Sequence, residues 1–268
     1  MKIAVFTSNQ PRHLSLIERL ASVADEVVAV VECNTVFPGE VQDFYGKTEV
    51  MRRYFTRVIA AETTVFGRPR FLPAAVRALP LKMGDLNRLE PAALAPALDA
   101  DAFIVFGASY IKGALCDALV ERGAYNIHMG LSPYYRGSGC NFWALYDGRP
   151  DRVGATVHLL TKGLDSGPMV FHAVPAPEAV DGFELGMRAV EAAHQGLAAR
   201  LADGSLRSRK PVLQDKALEL RSSRYADFTD AVVEEYLGRE IPAAEIARAL
   251  SARRDDDLLH PFIGRRPQ

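Results

Sequence analysis

Short runs that are apolar throughout alternate, in the first half of the chain, with segments whose apolar residues recur every three or four positions. Residues 2–7 (KIAVFT) and 26–33 (EVVAVVEC) are runs of the first kind and predict buried strands. Between them, residues 14–24 place Leu14, Ile17, Leu20 and Ala21 on one face, which predicts a helix. Strands with no polar face, joined by a helix, predict a parallel sheet covered on both sides. Residues 49–62 predict a further helix, with Val50, Tyr54, Val58 and Ala61 at helical spacing and its arginines on a solvated face. Pro69, Pro73 and Pro80 punctuate the next stretch into loops and short turns.

Regularity returns at residues 102–106 (AFIVF), a third buried strand. A helix over 112–121 follows, with Gly123 placed to end it, and then a short strand over 124–128 (AYNIH). Residues 130–139 read as loop, and a helix starts at 141. Residues 153–161 and 169–174 predict two more strands joined by the turn KGLDSGP. Asp181 and Glu184 form a capping box opening a long helix. Its apolar line runs through Phe183, Met187, Val190, His194, Leu197 and Leu201, and Gly204 ends it. Beyond residue 205 the composition turns polar and Arg-rich, with one more helix over 227–237. The expected fold is α/β: a Rossmann-like, open, mostly parallel sheet with helices on both faces. It occupies a catalytic domain at 1–204, followed by a small C-terminal extension at 205–268.

Composition narrows the function classes. The 268 residues balance 32 Lys and Arg against 33 Asp and Glu, a formal net charge of −1. That balance argues against a general nucleic-acid binder, and 49% hydrophobic residues exclude wholesale disorder. No apolar run approaches the roughly 18 residues of a membrane span, and the N-terminus reads as a strand rather than a signal peptide. Cys33, Cys116 and Cys140 show no CxxC spacing, and a reduced, cytoplasmic compartment with buried thiols is expected. There is no GxxxxGK[ST] phosphate loop and no GxSxG elbow. The six histidines show no HExxH or paired metal spacing, so no metal is expected.

The chemistry concentrates between residues 125 and 170. Asn126 and His128 lie two apart on a predicted strand, so their side chains share a face. At the C-terminal edge of an open sheet that face meets the crevice where ligands bind. An amide donor beside an imidazole suits stabilisation of an oxyanion in acyl transfer. A polar pair at a strand end is equally served by neighbouring backbone, and Asp165, on its residues alone, reads as a turn aspartate beside glycine.

The segment NIHMGLSPYYRG, followed by HLLTKGLDSGPMV, resembles the N10-formyltetrahydrofolate-dependent formyltransferase family, and within it most resembles the amino-sugar N-formyltransferases. The resemblance is close over about residues 100–175 and loose over the first two strands. It implies a catalytic triad of Asn126, His128 and Asp165. It also implies a folate pocket between the strand-end loop, carrying Phe106, Gly107, Ser109, Tyr110 and Ile111, and the aspartate turn, carrying Lys162, Gly163, Leu164 and Gly167. His158 matches a position that lines the site in some members, with its facing undecided. N10-formyltetrahydrofolate is then the formyl donor, needed as a cosubstrate without a metal.

Acceptors differ within that family. Glycinamide ribonucleotide formyltransferases carry a Gly-Ser-Asn phosphate loop after the first strand, where this chain has Thr7-Ser8-Asn9-Gln10-Pro11. Methionyl-tRNA formyltransferases carry a longer, basic C-terminal barrel than the extension here. The leading expectation is therefore a small-molecule amine on a nucleotide-linked sugar, with no nucleic-acid or membrane partner. The segment 34–89 and the tail ending HPFIG resemble elaborations around such acceptor sites. Arg136 is a candidate contact to the diphosphate, or else a structural loop arginine. A formyltetrahydrofolate hydrolase and an inactive binding module are the remaining alternatives, and a homodimer is left open.

Overall fold

The structure is a computed structural model and describes residues 1–34 and 48–265. The elements run β1 (Lys2–Ser8), α1 (Pro11–Ala21), β2 (Glu26–Cys33), α2 (Glu49–Phe66), β3 (Val76–Lys82), α3 (Ala95–Leu98), β4 (Ala102–Val105), α4 (Gly113–Glu121) and β5 (Tyr125–His128). They continue with β6 (Tyr135–Gly137), α5 (Cys140–Tyr146), β7 (Ala155–Leu159), β8 (Met169–Val174), α6 (Gly182–Ala202), α7 (Ser205–Ser208), β9 (Arg221–Ser223), α8 (Asp230–Gly238), α9 (Ala243–Ser251) and β10 (Phe262–Ile263). Eight strands form the central sheet in the order β10-β8-β7-β5-β4-β1-β2-β3. All neighbours pair parallel except β5 with β7 and β7 with β8.

Alternation along the fully apolar strands explains why helices cover both faces. Ile3, Val5, Val27, Ala29, Val31 and Ile104 pack on one side against Leu14, Ile17 and Leu20 of α1 and Val190 and Leu197 of α6. Ala4, Phe6, Val28, Val30, Phe103 and Val105 pack on the other against Leu115 and Leu119 of α4. Each buried side chain of this size contributes about 1.5–3 kcal/mol, so this two-sided layer is what makes the open parallel sheet stable. The C-terminal stretch is tied into the same body. Tyr236, Ile246, Leu250 and Leu258 share a third core with Trp143, Leu145 and Phe183, and β10 lies beside β8 in the main sheet.

Some expectations need correcting. The proline-punctuated stretch contains β3, which pairs with β2 through Val31 and Pro80. It is the sheet's edge strand, where a residue without an N–H is tolerated. The 130–139 loop contains β6, paired with β9. The arginines of α2 are not merely solvated: Arg53 pairs with Glu234, and Arg57 with Glu240 and, at 3.1 Å, with Asp181. Asp181 caps α6 by accepting from the Glu184 N–H at 2.8 Å, whereas the Glu184 carboxylate pairs with Arg188 at 2.9 Å and does not complete the box. Cys33 is exposed, while Cys116 and Cys140 are buried. Part of the 34–89 segment, residues 35–47, lies outside the described residues. Among the described residues no helix is long and apolar enough to cross a membrane.

Candidate active site

Strand β5 sits between parallel β4 and antiparallel β7, where the sheet changes direction. Its two-residue period puts Asn126 and His128 on one face, and the antiparallel register sets Asn126 directly opposite His158. Asp165 reaches this face from the turn between β7 and β8. Its φ of +44° is unusual for a residue with a side chain, although aspartate is among the few that visit the region.

These four side chains form one hydrogen-bonded group. Asn126 Nδ2 donates to Asp165 Oδ1 at 3.0 Å and lies 3.0 Å from His158 Nε2. His158 Nδ1 is 2.8 Å from the Leu159 carbonyl, which can only accept, so Nδ1 carries the proton and Nε2 accepts from Asn126. His128 Nδ1 lies 3.2 Å from Asp165 Oδ2. Its other ring nitrogen, Nε2, is 3.4 Å from Cys140 Sγ, and the Cys140 thiol donates to the Gly137 carbonyl at 3.4 Å. A carboxylate at Nδ1 and a sulfur acceptor at Nε2 suit an imidazole protonated on both nitrogens. This approach needs Gly130: a Cβ there would lie 2.4 Å from Cys140 Cβ and 2.8 Å from His128 Nε2.

The charges follow the geometry. Burial opposes a charged His128, but the hydrogen bond to Asp165 and the nearby Cys140 sulfur outweigh it and hold the imidazole above its ordinary value. Burial likewise opposes an ionised Asp165, and the hydrogen bond from the His128 imidazole overcomes it, holding the carboxyl well below the usual carboxylate range. Both shifts favour the imidazolium–carboxylate form of the pair. Among the described residues no group of three or more His, Cys, Asp or Glu side chains is arranged to hold a metal ion.

A cavity of about 300 Å³ opens beside the group, at the small end of the roughly 300–1,000 Å³ usual for small-molecule sites. The strand-end loop contributes Phe106, Gly107, Ser109, Tyr110 and Ile111 to its lining, together with Val105 and Ala108. The aspartate turn contributes Gly163, Leu164 and Asp165, and Leu160, Thr161, Met129 and His158 complete much of the wall with Asn126 and His128. Two expected residues stand behind this lining. Lys162 pairs its Nζ with Asp117 at 2.7 Å and offers its carbonyl to the Tyr110 hydroxyl at 2.6 Å, joining the two loops. Gly167 packs under the turn, where a Cβ would fall 1.7 Å from the Leu159 carbonyl oxygen. Arg136 pairs with Glu219 at 3.1 Å and so serves as a structural tie between its loop and the C-terminal stretch.

Three contributors escaped the sequence reading. Cys140 reaches His128 only through the fold of the glycine-rich loop, and no spacing rule signals it. Buried Glu32, at the end of β2, accepts from Gly84 N at 2.8 Å, Ser109 N at 2.6 Å and Ser109 Oγ at 3.0 Å, tying two loops to one carboxylate. Gln214 donates to the carbonyls of Asp165 and Gly167. A polar residue ending an otherwise apolar strand was the available sign for Glu32.

Comparison with known proteins adds the following. The family model described as formyl transferase matches residues 1–201. A methionyl-tRNA formyltransferase from Trichormus variabilis is 36% identical over 76 residues, 28% of this chain and 22% of that protein, so most of that relative lies outside the match. Glycinamide ribonucleotide transformylase 1 from Symbiobacterium toebii has a TM-score of 0.51 at 22% identity, covering 80% of this chain and 94% of that one. A candidate sugar N-formyltransferase from Mycobacterium tuberculosis has a TM-score of 0.51 at 17% identity, covering 98% of this chain and 91% of its own. At these identities the structural likeness is one of fold.

Proposed function

The chain belongs to the formyl transferase family through residues 1–201, and from that premise we propose that it moves a formyl group from N10-formyltetrahydrofolate to the primary amine of a nucleotide-linked amino sugar. The observation that carries this reading is the convergence of Asn126, His128 and Asp165 within hydrogen-bond distance beside one cavity. The cavity suits a flat, hydrogen-bonding ring. Gly107, Ala108 and Gly163 bring backbone rather than bulky side chains to its lining, while Phe106, Ile111, Leu160 and Leu164 supply apolar walls.

Attack of a neutral amine on the formyl carbon creates a tetrahedral oxyanion, and the chain's task is to stabilise it. Asn126 and His128 are the donors, but both already have partners: Asp165 and His158 for the amide, Asp165 and Cys140 for the imidazole. Entry of the formyl oxygen exchanges one partner of each. Asn126 gives up His158, and His128 turns Nε2–H from the weakly accepting sulfur to the oxyanion. Asp165 holds the charge on His128 while the oxyanion forms. Collapse of the oxyanion breaks the bond from the formyl carbon to N10, and the proton that the attacking nitrogen loses passes, through Asp165 or water, to N10 of the departing tetrahydrofolate.

The amino-sugar acceptor draws on a formal net charge of −1 and on the Thr7-Ser8-Asn9-Gln10-Pro11 sequence after β1. The local identity to a methionyl-tRNA formyltransferase makes initiator tRNA the second acceptor to test. The assay supplies N10-formyltetrahydrofolate with amino-sugar nucleotides, glycinamide ribonucleotide and charged initiator tRNA in separate reactions, and reads formylated product by mass. Calorimetry with 5-formyltetrahydrofolate, an unreactive mimic, tests the donor half alone. Absence of binding at millimolar mimic would refute the folate assignment, and product from tRNA alone would refute the sugar.

A further inference from the structure

The family match ends at residue 201, yet the catalytic turn is held from beyond it. Val212 forms an antiparallel bridge with Met169, the two residues exchanging N–H to carbonyl bonds of 2.7 and 2.8 Å. Two residues on, the Gln214 side chain lies along the aspartate turn. Its Nε2 donates to the Asp165 carbonyl at 2.9 Å and to the Gly167 carbonyl at 3.0 Å, so its two N–H groups take one acceptor each. The other end of the amide, Oε1, is buried without a partner. The two donated bonds therefore account for the orientation of the side chain.

The turn needs such a hold. Asp165 sits at φ +44°, and Gly167 lies so close to the Leu159 carbonyl that a Cβ there would fall 1.7 Å from its oxygen. A turn caught between Leu159 and Gln214 has little freedom to drift. Its position decides whether one carboxylate can reach both Asn126 Nδ2, at 3.0 Å, and His128 Nδ1, at 3.2 Å. Loss of either carbonyl bond lets the backbone at 165 relax, and the carboxylate moves with it.

We propose that Gln214 is a positioning residue for formyl transfer: a side chain outside the family-matched region that locks residues 165–167 so that Asp165 bridges Asn126 and His128. The activity arm of this proposal rests on the formyl-transfer reading, while its structural arm does not. The isosteric change Gln214→Glu is the informative one. It keeps the volume but turns a carboxylate oxygen toward two carbonyl oxygens, so at neutral pH it repels the turn. Once protonated, the same group can donate one of the two bonds again, and its surroundings raise the pH at which that happens.

The test uses the full chain with Gln214→Ala and Gln214→Glu, comparing kcat, KM, melting temperature and amide hydrogen exchange of residues 162–168. Displacements of this kind cost on the order of 10- to 100-fold in rate, and kcat should fall by that much in both variants with KM little changed. The melting temperature should hold while the turn exchanges faster. The ratio of Gln214→Glu to wild-type activity should climb as pH falls from about 8 to about 5, as expected for a carboxyl with a raised pKa. A Gln214→Glu enzyme matching wild type at neutral pH would overturn the proposal, as would unchanged exchange of the turn in both variants. Faster exchange with undiminished kcat would also overturn it, leaving only a structural tie. If the wild type transfers no formyl group to any acceptor, the formyl-transfer reading fails. In that case the exchange data decide the hold on the turn separately.

Discussion

Cys140 Sγ stands 3.4 Å from His128 Nε2 and directs its own proton to the Gly137 carbonyl, so the sulfur meets the imidazole as an acceptor. Asp165 accepts from the opposite ring nitrogen. His128 is thus clamped between a carboxylate and a polarisable atom, and neither clamp residue is next to it in sequence.

Removal of the sulfur should loosen that clamp. Cys140→Ala is expected to lower the pH at which His128 titrates, followed by NMR of the ring nitrogens, and to lower kcat by a few fold. Cys140→Ser keeps a small acceptor in place and should restore most of both. An alanine variant with an unmoved His128 titration would show that the sulfur is a spectator.

The three central residues should be far less forgiving. Removing one oxyanion donor typically costs about 100- to 1,000-fold in rate, and Asn126→Ala and His128→Ala are each expected in that range by single-turnover transfer. Asp165→Ala should fall at least as far, since it removes a partner from both donors at once. A folded Asp165→Ala protein transferring at near-wild-type rate would take the carboxylate out of the mechanism.

Much of this arrangement could be read from the chain, for physical reasons that differ by element. Strands β1, β2, β4 and β8 are apolar at nearly every position because both faces are covered, and such runs stand out. Strand β3 does not, because most of its side chains are exposed and Pro80 interrupts it. Three-residue strands such as β6 and β9 carry too little pattern to show. Asn126 and His128 were legible from the two-residue period of a strand. Asp165 was legible only through family resemblance, since its turn is as compatible with a plain aspartate–glycine corner. Cys140 and Gln214 act through loops whose approach depends on distant packing, and no local periodicity records that.

The pair His128–Asp165 also sets a pH window for stability. The raised His128 contributes fully below its ordinary value of about 6.5 and loses that contribution as pH rises through its folded value. The depressed Asp165 contributes fully above about 3.9 and loses that contribution as pH falls through its folded value. The gap in melting temperature between wild type and Asp165→Asn should therefore be widest between about pH 4 and 6.5, narrowing on either side. A gap that widens steadily above pH 6.5 would contradict the sign of the His128 shift.

Glu32 should control the donor loop without touching the reaction. Its carboxylate receives the Ser109 N–H and hydroxyl and the Gly84 N–H inside the protein. Glu32→Gln preserves shape but turns an amide N–H toward these donors, and an unsatisfied buried donor costs about 1–3 kcal/mol. The expected result is weaker binding of 5-formyltetrahydrofolate by calorimetry, with kcat at saturating donor close to wild type. Equal folate affinity in the two proteins would mean that the loop holds its shape without Glu32.

The acceptor class has a signature independent of product analysis. An enzyme that grips tRNA neutralises several phosphates and releases their counterions, so its affinity falls steeply with salt, in proportion to the contacts made. A nucleotide-linked sugar offers a diphosphate and little other charge, and the corresponding slope is shallow. The formal net charge of −1 gives no basic excess to support a large slope. Arg136, the one loop arginine expected at such a diphosphate, is already paired with Glu219. Arg136→Ala should therefore leave the acceptor KM nearly unchanged while lowering the melting temperature slightly, because exposed ion pairs contribute about 0–1 kcal/mol. With the sugar acceptor, kcat/KM measured from low to physiological salt should change by only a few fold. A steep, many-fold loss over that range, together with formylation of charged initiator tRNA, would reassign the acceptor to nucleic acid.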